Sequence, residues 1–598
     1  MSKTLAEIMF DAPVKLSELP DFRFDKDSVI AGLKKLEFNS LIRKLSTDEF
    51  KDSVNRGRFG GYDRDSEGPS PVTTGARTPS RDDTILNSSA SAGGQAHRET
   101  SVSGSHVPSR DDTILNSSAS AGGQAHQIDI IDWDIKQLMH ADHTIAKKIL
   151  EGASFWDLGQ AAFLLNPLAR ETPHLTVAEE EYQAQFTELQ NHPRLYNIYT
   201  EFDLPLIPIL YKMEEKGMLI DRDYFATLQA EYTEEVAKLE HEIHTLAGTT
   251  FNVNSPVQLS EILFTKLALP TKGIKKTTRG YSTGAKELDK LKDQHPIIPK
   301  IIEYREAAKL LSTYIIPMPT LADKENRIHT TFTQNVTATG RLSSKDPNLQ
   351  NIPVRTDEGK RIRQGFIAPA GRVLVSADYS QFELRLAAVL SNDQALIDDF
   401  NHDVDIHTKT ASEAFKVPME QVTKSQRRAA KVINFGILYG MSVKGLSDAA
   451  KMPIGEAKDF IDNYFKLRAP IKQKLDDYLR QAREDGYVET YFGRRRPTPD
   501  VKSSNFVIRQ AAERAAQNMP IQGTEADLMK RAMINVDKAL PPTVNLIMQI
   551  HDSLIVECDE SKKDEVASIL KTTMESVAPE LKIKLAVEVT TGKNWGNL

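Results

Sequence analysis

Two aspartates stand at the ends of two apolar β-strand patterns, where their carboxylates could hold metal ions. Residues 373–377 are mainly apolar and include two β-branched valines, which predicts a buried strand ending at Asp378. Residues 544–550 and 554–557 predict a hairpin with Asp552 at its tip. A carboxylate at the end of a buried strand is costly unless a positive charge meets it. Two such residues could bind a pair of Mg²⁺ ions for in-line phosphoryl transfer, or they could simply cap turns.

A second group of candidate residues lies in the segment 427–440. Arg427, Lys431, Phe435 and Tyr439 recur every four residues, so on an α-helix they would share one face. Two cations suit a triphosphate tail, and aromatic rings beside them suit a sugar and a base. The alternative interpretation is a core helix with a solvated cationic end.

Composition limits the class of protein. A chain of 598 residues should hold several domains, and its 40% hydrophobic and 27% charged content is ordinary for a globular protein. With a net charge of −7, any nucleic-acid binding must depend on local basic surfaces. The single cysteine, Cys558, excludes an internal disulfide and a cysteine-rich zinc site. No run of about 18 apolar residues and no secretory signal is present, so we expect a cytoplasmic protein without a membrane span.

The pattern along the chain divides it into unlike segments. Residues 46–127 are poor in bulky apolar residues, and 79–97 recur identically at 108–126, which predicts a disordered insertion. Residues 204–219 and 222–247 have helical spacing, the latter as one long helix or a helical hairpin. Lys275 and Lys276 lie in a basic loop at 272–281, which could track phosphates or be an ordinary solvated loop.

Five motifs, which follow one another along the chain in the family's order, resemble those of the family A DNA polymerases, the DNA polymerase I family. They are Asp-Tyr-Ser-Gln-Phe-Glu-Leu-Arg at 378–385, the segment 427–440, Gln-Ile-His-Asp at 549–552, and the segments 337–355 and 514–524. The resemblance covers essentially all of 195–598 and implies an α+β multidomain fold with the right-hand architecture. The polymerase domain would span 193–598, with a thumb at about 205–330, a palm at about 331–415 and 525–598, and fingers at about 416–524.

The resemblance also implies what precedes this domain. Residues 1–45 resemble the tail of a 5′-nuclease domain, so 5′-nuclease activity should be absent. Residues 128–192 resemble a reduced, ribonuclease-H-like 3′–5′ exonuclease domain without its first acidic motif, so we expect no proofreading. Tyr199 and Asp203 have the spacing of another exonuclease motif, which we interpret as coincidence. Asp134 and Asp157 are expected to be surface residues rather than metal ligands.

Carried over by resemblance, the site residues fall into three groups. Asp378, Asp552 and the Tyr379 backbone would hold two Mg²⁺ ions, for which Mn²⁺ could substitute, and Lys431 would protonate the leaving group. The incoming dNTP would be bound by Arg427, Lys431, Phe435, Tyr439, His407, Glu383 and Gln381. DNA would be contacted by Arg341, Asn348, Gln350, Arg514, Asn518, Gln522, His551, Lys275 and Lys276.

One departure from the family's motifs bears on the product. The family usually has His-Asp-Glu where this chain has His551-Asp552-Ser553, and related single-subunit RNA polymerases carry serine there. Glu383, which in the family blocks a 2′-hydroxyl, and Phe435 match the DNA enzymes instead. The expected activity is therefore primer-dependent DNA synthesis in replication and repair by a monomer, nucleoid-associated if bacterial, acting on primer–template DNA and dNTPs. An RNA polymerase-like activity and a non-catalytic DNA-binding protein are the alternatives.

Overall fold

The computed structural model describes residues 114–118, 127–169, 177–354, 356–436 and 440–598. The predicted N-terminal segment 1–45 lies outside these residues, as do Tyr439 and most of the predicted disordered insertion. All described residues belong to one structural unit, 87–598.

The N-terminal described region is built on a three-stranded sheet in the order β1-β2-β3. Its strands are β1 (Ile114–Ser118), β2 (Gln127–Asp132) and β3 (Phe155–Asp157), with β1 antiparallel and β3 parallel to β2. Strand β1 lies within the segment 46–127, for which disorder stays a prediction, and β2 supplies its backbone hydrogen-bond partners. The helices around this sheet are α1 (Ile135–Ala141), α2 (His143–Leu150), α3 (Leu158–Leu165), α4 (Ala178–Gln190) and α5 (Pro193–Ile198).

A mainly helical region follows. It contains α6 (Leu204–Lys216), α7 (Arg222–Ala247), α8 (Pro256–Glu261), α9 (Ala285–Asp289), α10 (Ile297–Leu310) and α11 (Pro317–Leu321). The prediction of a helix at 222–247 is confirmed, as one continuous helix. Asp221 caps its first turn by accepting a hydrogen bond from Tyr224 N at 2.9 Å, and Gly248 ends it in the left-handed conformation. The basic loop folds into a small hairpin of β5 (Lys276–Thr277) and β6 (Gly280–Tyr281).

Short strands border this region: β4 (Met218–Leu219), β7 (Arg327–Ile328), β8 (Thr331–Thr333) and β9 (Ser343–Lys345). They pair as β4 with β7 and β8 with β9. Helix α12 (Asp357–Gln364) leads from them into the main sheet.

The main sheet has four antiparallel strands in the order β13-β14-β10-β15. They are β10 (Arg372–Tyr379), β13 (Asn545–Ile550), β14 (Ser553–Asp559) and β15 (Val587–Gly592). The predicted strand before Asp378 and the predicted hairpin around Asp552 are both confirmed. Val375, Ala377, Leu554 and Val556 are fully buried, so the apolar residues of these strands form the core beneath the aspartates.

Helices pack around the main sheet and continue its core. They are α13 (Phe382–Ser391), α14 (Gln394–Asn401), α15 (Ile406–Phe415), α16 (Lys424–Gly436), α17 (Val443–Ala450), α18 (Ile454–Leu467), α19 (Ala469–Glu484), α20 (Phe506–Ala539) and α21 (Lys563–Glu575). A hairpin of β11 (Tyr487–Glu489) and β12 (Arg495–Pro497) precedes α20. Among the described residues, no helix is both long and apolar enough to cross a bilayer.

Candidate active site

The two predicted metal-binding aspartates meet at one end of the main sheet. Asp378 on β10 faces Ser553 of β14 across the strand pair, which places Asp552 beside it at the hairpin tip. The backbone N–H of Tyr379 donates a hydrogen bond to the Asp552 carbonyl at 3.1 Å, and the two carboxyl groups share a hydrogen bond. Residues far apart in the chain are therefore joined by strand pairing.

Two carboxyl groups this close disfavour double ionisation. Partial burial, reinforced by repulsion from Asp552, raises the pKa of Asp378 to about 7. Burial also raises the pKa of Asp552. The two ionised carboxylates therefore repel each other, and a cation between them would reverse this penalty. Within the described part of the chain, no cluster of three or more His, Cys, Asp or Glu side chains has metal-binding geometry, so these two carboxylates stand as a pair.

Two neighbours of the aspartates complete this end of the sheet. Glu588 on β15 is the cross-strand partner of Asp378, and its negative charge also raises the pKa of that residue. Sequence reasoning missed Glu588, although its place in an apolar–acidic–apolar strand pattern could have indicated it. Ser553 donates a hydrogen bond from its hydroxyl to the Ile550 carbonyl at 3.0 Å and so closes the hairpin turn.

Helix α16 presents the predicted cationic and aromatic face. Arg427, Lys431 and Phe435 are exposed, with Phe435 at 39%, whereas Ala430 and Ile433 on the opposite face are fully buried. The four-residue spacing therefore produced one accessible face, as predicted. Tyr439, the last member of the series, lies outside the described residues.

The N-terminal end of α15, with its capping residue Asp405, contacts this cationic face. Asp405 accepts hydrogen bonds from Arg427 at 3.0 Å (Nε) and 3.3 Å (Nη2). Burial alone would raise the pKa of Asp405, but hydrogen bonds from Arg427 and Thr408 outweigh it and bring the pKa to about 2. Burial and the cations Arg427 and Lys431 lower the pKa of His407 to about 4, so its imidazole is neutral at pH 7. The histidine is only 6% exposed and lies behind this face.

A buried ion cluster surrounds Glu383. Arg341 Nη2 binds a carboxylate oxygen of Glu383 at 2.7 Å and one of Glu525 at 2.7 Å. Glu525, on α20, is only 2% exposed, and burial raises its pKa to about 8. Sequence reasoning missed Glu525, because an acid inside a long helix pattern gives no local signal.

Several predicted DNA-contacting residues share one face of α20. Arg514, Asn518 and Gln522 follow one another at four-residue intervals and are half-buried. Among the described residues, Asn518 Oδ1 and Gln381 Oε1 are buried without a hydrogen-bond partner. Buried polar atoms of this kind are costly unless a further group pairs with them.

The other predicted DNA contacts are more dispersed. Gln350 donates hydrogen bonds to Gln549 of β13 at 3.0 and 3.1 Å, and Asn348 accepts one from Ser344 at 3.0 Å. His551 stands next to Asp552 in the left-handed conformation with φ 53°. Lys275 and Lys276 are exposed in and beside the β5–β6 hairpin, which belongs to the helical region rather than to the main sheet.

Comparison with known proteins decides the family. Residues 222–597 match the sequence model described as DNA polymerase family A. The chain belongs to DNA polymerase family A. It is 47% identical over 421 residues to the thermostable DNA polymerase I of Thermus aquaticus, covering 70% of this chain and 50% of the relative. DNA polymerase I of Pseudomonas aeruginosa is 44% identical over 435 residues, covering 72% and 47%.

A solved structure gives the same result for the fold. The POL domain of Pol1 from M. smegmatis, in complex with DNA primer-template and dNTP, superposes with a TM-score of 0.71 at 35% identity, covering 78% of this chain and 86% of that one. The predicted family A polymerase fold, mixed in helix and sheet, is thereby confirmed. This family A chain spans about half the length of the curated relatives it matches.

Asp134, Asp157 and Asp203 of this family A chain all have hydrogen-bond partners within the protein. Asp134 is exposed and caps α1 by accepting a hydrogen bond from Gln137 N at 2.9 Å. The expectation that Asp157 is a surface residue is wrong: it is buried because it accepts backbone hydrogen bonds from Gln160 at 2.7 Å and Ile135 at 2.9 Å. Asp203 is bound by Lys530 at 2.7 Å.

Proposed function

We propose that this chain is a template-directed, primer-dependent DNA polymerase that adds dNTPs to a primer 3′-hydroxyl. The observation that carries the proposal is the contact between the Asp378 and Asp552 carboxyl groups at the end of the main sheet. Membership of DNA polymerase family A supports the same reaction class. Nucleotidyl transfer needs metal-binding carboxylates and phosphate-binding cations, and this chain has candidates for both.

The donor set at the sheet end suits divalent metal ions, the cofactors generally used in this family. Asp378 and Asp552 offer hard carboxylate oxygens, which Mg²⁺ prefers, and the raised pKa of Asp378 reflects burial and repulsion between the two carboxylates. We propose that they hold two Mg²⁺ ions, together with the Tyr379 carbonyl. When bound, such ions activate the attacking hydroxyl and neutralise the leaving pyrophosphate.

The exposed face of α16 would hold the incoming nucleotide. Arg427 and Lys431 would bind the triphosphate, and Lys431 would donate a proton to the leaving oxygen. Phe435 would pack against the sugar and base, since its ring is exposed beside these cations. His407, neutral and buried, would support this face with its ring centroid 5.8 Å from that of Phe435.

Glu383 would select the sugar by occupying the space of a 2′-hydroxyl. Its carboxylate is held in place by Arg341, which favours a fixed obstacle over a mobile one. Arg514, Asn518 and Gln522 would contact the minor groove, where hydrogen-bond acceptors are common to all correct base pairs. The N–H groups of these three side chains would donate to those acceptors. Asn518 Oδ1 and Gln381 Oε1 are buried acceptors without a hydrogen-bond partner, and they would accept from a hydroxyl or amino group of a substrate.

We also propose that the chain does not proofread. The Asp157 carboxylate accepts backbone hydrogen bonds at the starts of two helices, and Asp203 forms ion pairs with Arg494 and Lys530. Neither carboxylate is therefore available for a metal in this arrangement. Action as a monomer, in the cytoplasm and at the nucleoid, is part of the same proposal, because chromosomal DNA would be the substrate.

A primer-extension assay with Mg²⁺ tests the proposal through dNTP, NTP and no-nucleotide reactions. We expect the primer to extend with dNTPs, to extend poorly with NTPs, and not to shorten without nucleotides. Equal use of NTPs would favour the RNA polymerase-like alternative connected with Ser553. Steady shortening of a mismatched primer without nucleotides would show that proofreading is present.

Asparagine variants of the two aspartates test the metal assignment. Asp378→Asn and Asp552→Asn should each slow extension by at least about a thousandfold, because several kcal/mol of transition-state stabilisation is lost. Duplex binding, measured by fluorescence anisotropy, should change little. Asp559→Asn, at the opposite end of β14, is the matched control and should extend normally. Near wild-type extension by either site variant would show that the assignment is wrong.

A further inference from the structure

Glu525 lies at a place where three separate chain segments meet. Arg341 precedes β9, Glu383 lies in the first turn of α13, and Glu525 belongs to α20. One guanidinium nitrogen, Arg341 Nη2, binds both carboxylates at 2.7 Å. The guanidinium is therefore held between two acids, Glu383 on one side and Glu525 on the other.

The two acids differ in their access to solvent. The Glu525 side chain is 3% exposed and that of Glu383 is 14% exposed, while Arg341 is 29% exposed. Glu525 is thus the inner partner, and Glu383 lies closer to the surface where a nucleotide would bind. Arg341 and Glu525 also line a narrow cavity together with Gln549 and His551, next to Asp552.

The backbone that carries Glu525 is held firmly. Thr524 accepts a hydrogen bond from the backbone N–H of Tyr491 at 2.9 Å. Asp527 accepts hydrogen bonds from Arg494 at 2.7 Å and from Thr490 at 2.8 Å. Glu525 therefore projects from a fixed segment of α20, whereas Arg341 is a long side chain that loses much rotamer freedom when it is anchored.

We propose that Glu525 is a positioning residue for sugar selection: it anchors Arg341, and Arg341 in turn holds the Glu383 carboxylate in place. The inference rests on the proposed function, in which Glu383 excludes the 2′-hydroxyl. Without Glu525, the Arg341 side chain gains rotamers and no longer holds the Glu383 carboxylate in one position. A ribose 2′-hydroxyl is then better tolerated. A carboxylate or amide oxygen at position 525 suffices for the anchor, because the anchor is a hydrogen bond from Arg341.

The test compares kcat/KM for dCTP and CTP opposite template guanine in the full-length chain. Glu525→Ala should reduce the preference for dCTP roughly fivefold to tenfold, as expected when the net contribution of one ordinary hydrogen bond is lost. Glu525→Gln keeps the acceptor oxygen and should stay within about twofold of wild type. Asp537→Ala is the control. Asp537 lies on the same helix as Glu525 and pairs with Lys212, so its removal should leave the preference for dCTP unchanged.

A double-mutant cycle separates positioning from general damage. In a Glu383→Ala background, Glu525→Ala should change the sugar preference no further, because its effect passes through Glu383. A merely structural defect would slow dCTP and CTP incorporation together and leave their ratio unchanged. Should Glu525→Ala fold poorly, Glu525→Asp replaces it, since the shorter side chain withdraws the acceptor and should also lower the preference.

Three outcomes would overturn the inference. Wild-type preference in both Glu525→Ala and Glu525→Asp would show that the anchor does not act on sugar selection. Additive effects of Glu525→Ala and Glu383→Ala would show that Glu525 acts by another route. An unchanged preference in Glu383→Ala alone would show that Glu383 does not select the sugar, and the inference would fail with it. Failure of the wild type to incorporate dCTP would instead reject the proposed function itself.

Discussion

Asp203→Ala would remove an acid from the centre of a buried ion cluster. The Asp203 carboxylate accepts hydrogen bonds from Arg494 at 3.1 and 2.9 Å, from Lys530 at 2.7 Å and from Gln160 at 2.9 Å. All four side chains are buried. The cluster ties the N-terminal region to the β11–β12 hairpin and to α20. After the substitution, Asp527 would be the remaining acid of the cluster beside two cations.

The contacts of Asp203 give the magnitude of the stability that Asp203→Ala is expected to lose. Three hydrogen bonds from cations disappear, each contributing about 1.5–3 kcal/mol when a charge is involved. Asp527 still accepts a hydrogen bond from Arg494 at 2.7 Å and retains part of the network. Breaking a buried ion pair by removing one partner costs roughly 3–5 kcal/mol, so we expect the free energy of unfolding to fall by about 4 kcal/mol.

The loss should also depend on pH. Burial and Arg494 lower the pKa of Lys530, and Asp203 opposes them. Without Asp203 the pKa of Lys530 in the folded variant falls further below its value in the unfolded chain. The folded variant then binds fewer protons than the unfolded chain, so the stability of the variant rises with pH. Burial alone would raise the pKa of Asp203, but Arg494 and Lys530 bring this pKa below its usual value. The stability that ionised Asp203 gives to the wild type is therefore lost only in acid. The deficit of the variant should therefore shrink between pH 7 and pH 10.

Urea unfolding followed by tryptophan fluorescence measures this loss. Trp156 reports the N-terminal region and Trp595 the region around the main sheet. Asp537→Ala is the matched control, since its ion pair with Lys212 is partly exposed to solvent and should contribute below about 1 kcal/mol. A loss for Asp203→Ala no larger than that of the control, or a deficit that is constant from pH 7 to pH 10, would refute the reasoning.

Three further predictions concern the site. Asp405→Ala should release Arg427 for the triphosphate and lower the KM for dNTPs roughly twofold to fivefold in steady-state kinetics; an unchanged or higher KM would contradict this. Because Asp378 has a pKa raised to about 7, protons should compete with Mg²⁺, and the Mg²⁺ concentration for half-maximal activity should rise as pH falls from 8 to 6; a flat profile would argue against metal binding there. Gly340→Ala should lower the melting temperature, because φ is +82° and a Cβ would lie 2.6 Å from Arg494 Nε; unchanged melting would contradict the geometry.

Elements with a strong local pattern were predictable from the sequence. The apolar run before Asp378 and the hairpin around Asp552 became β10, β13 and β14, because a short apolar run that ends at polar residues is a local property of the chain. The spacing of Arg427, Lys431 and Phe435 placed them on one helical face for the same reason. The contact between the two aspartates was expected from the motifs, and the strand register of the main sheet gives it a physical cause.

Other site features depend on contacts between distant segments. Glu525 and Arg341 are 184 positions apart, and nothing near either residue in the sequence indicates the other. The same holds for the tie between Asp405 and Arg427, which needs the packing of α15 against α16. The expectation for Asp157 failed because its burial depends on capping α3 and on the Ile135 backbone, which only the folded N-terminal region supplies.

The sequence by itself determined which groups this protein can use: two strand-end carboxylates, a cationic and aromatic helix face, and the motifs of its family. Periodicity and side-chain chemistry are local properties, so they can be read along the chain. Only the tertiary structure decided which acids share a cation and which are buried, as with Glu383, Arg341 and Glu525. Charge pairing and burial depend on distances through space, and packing alone sets those distances.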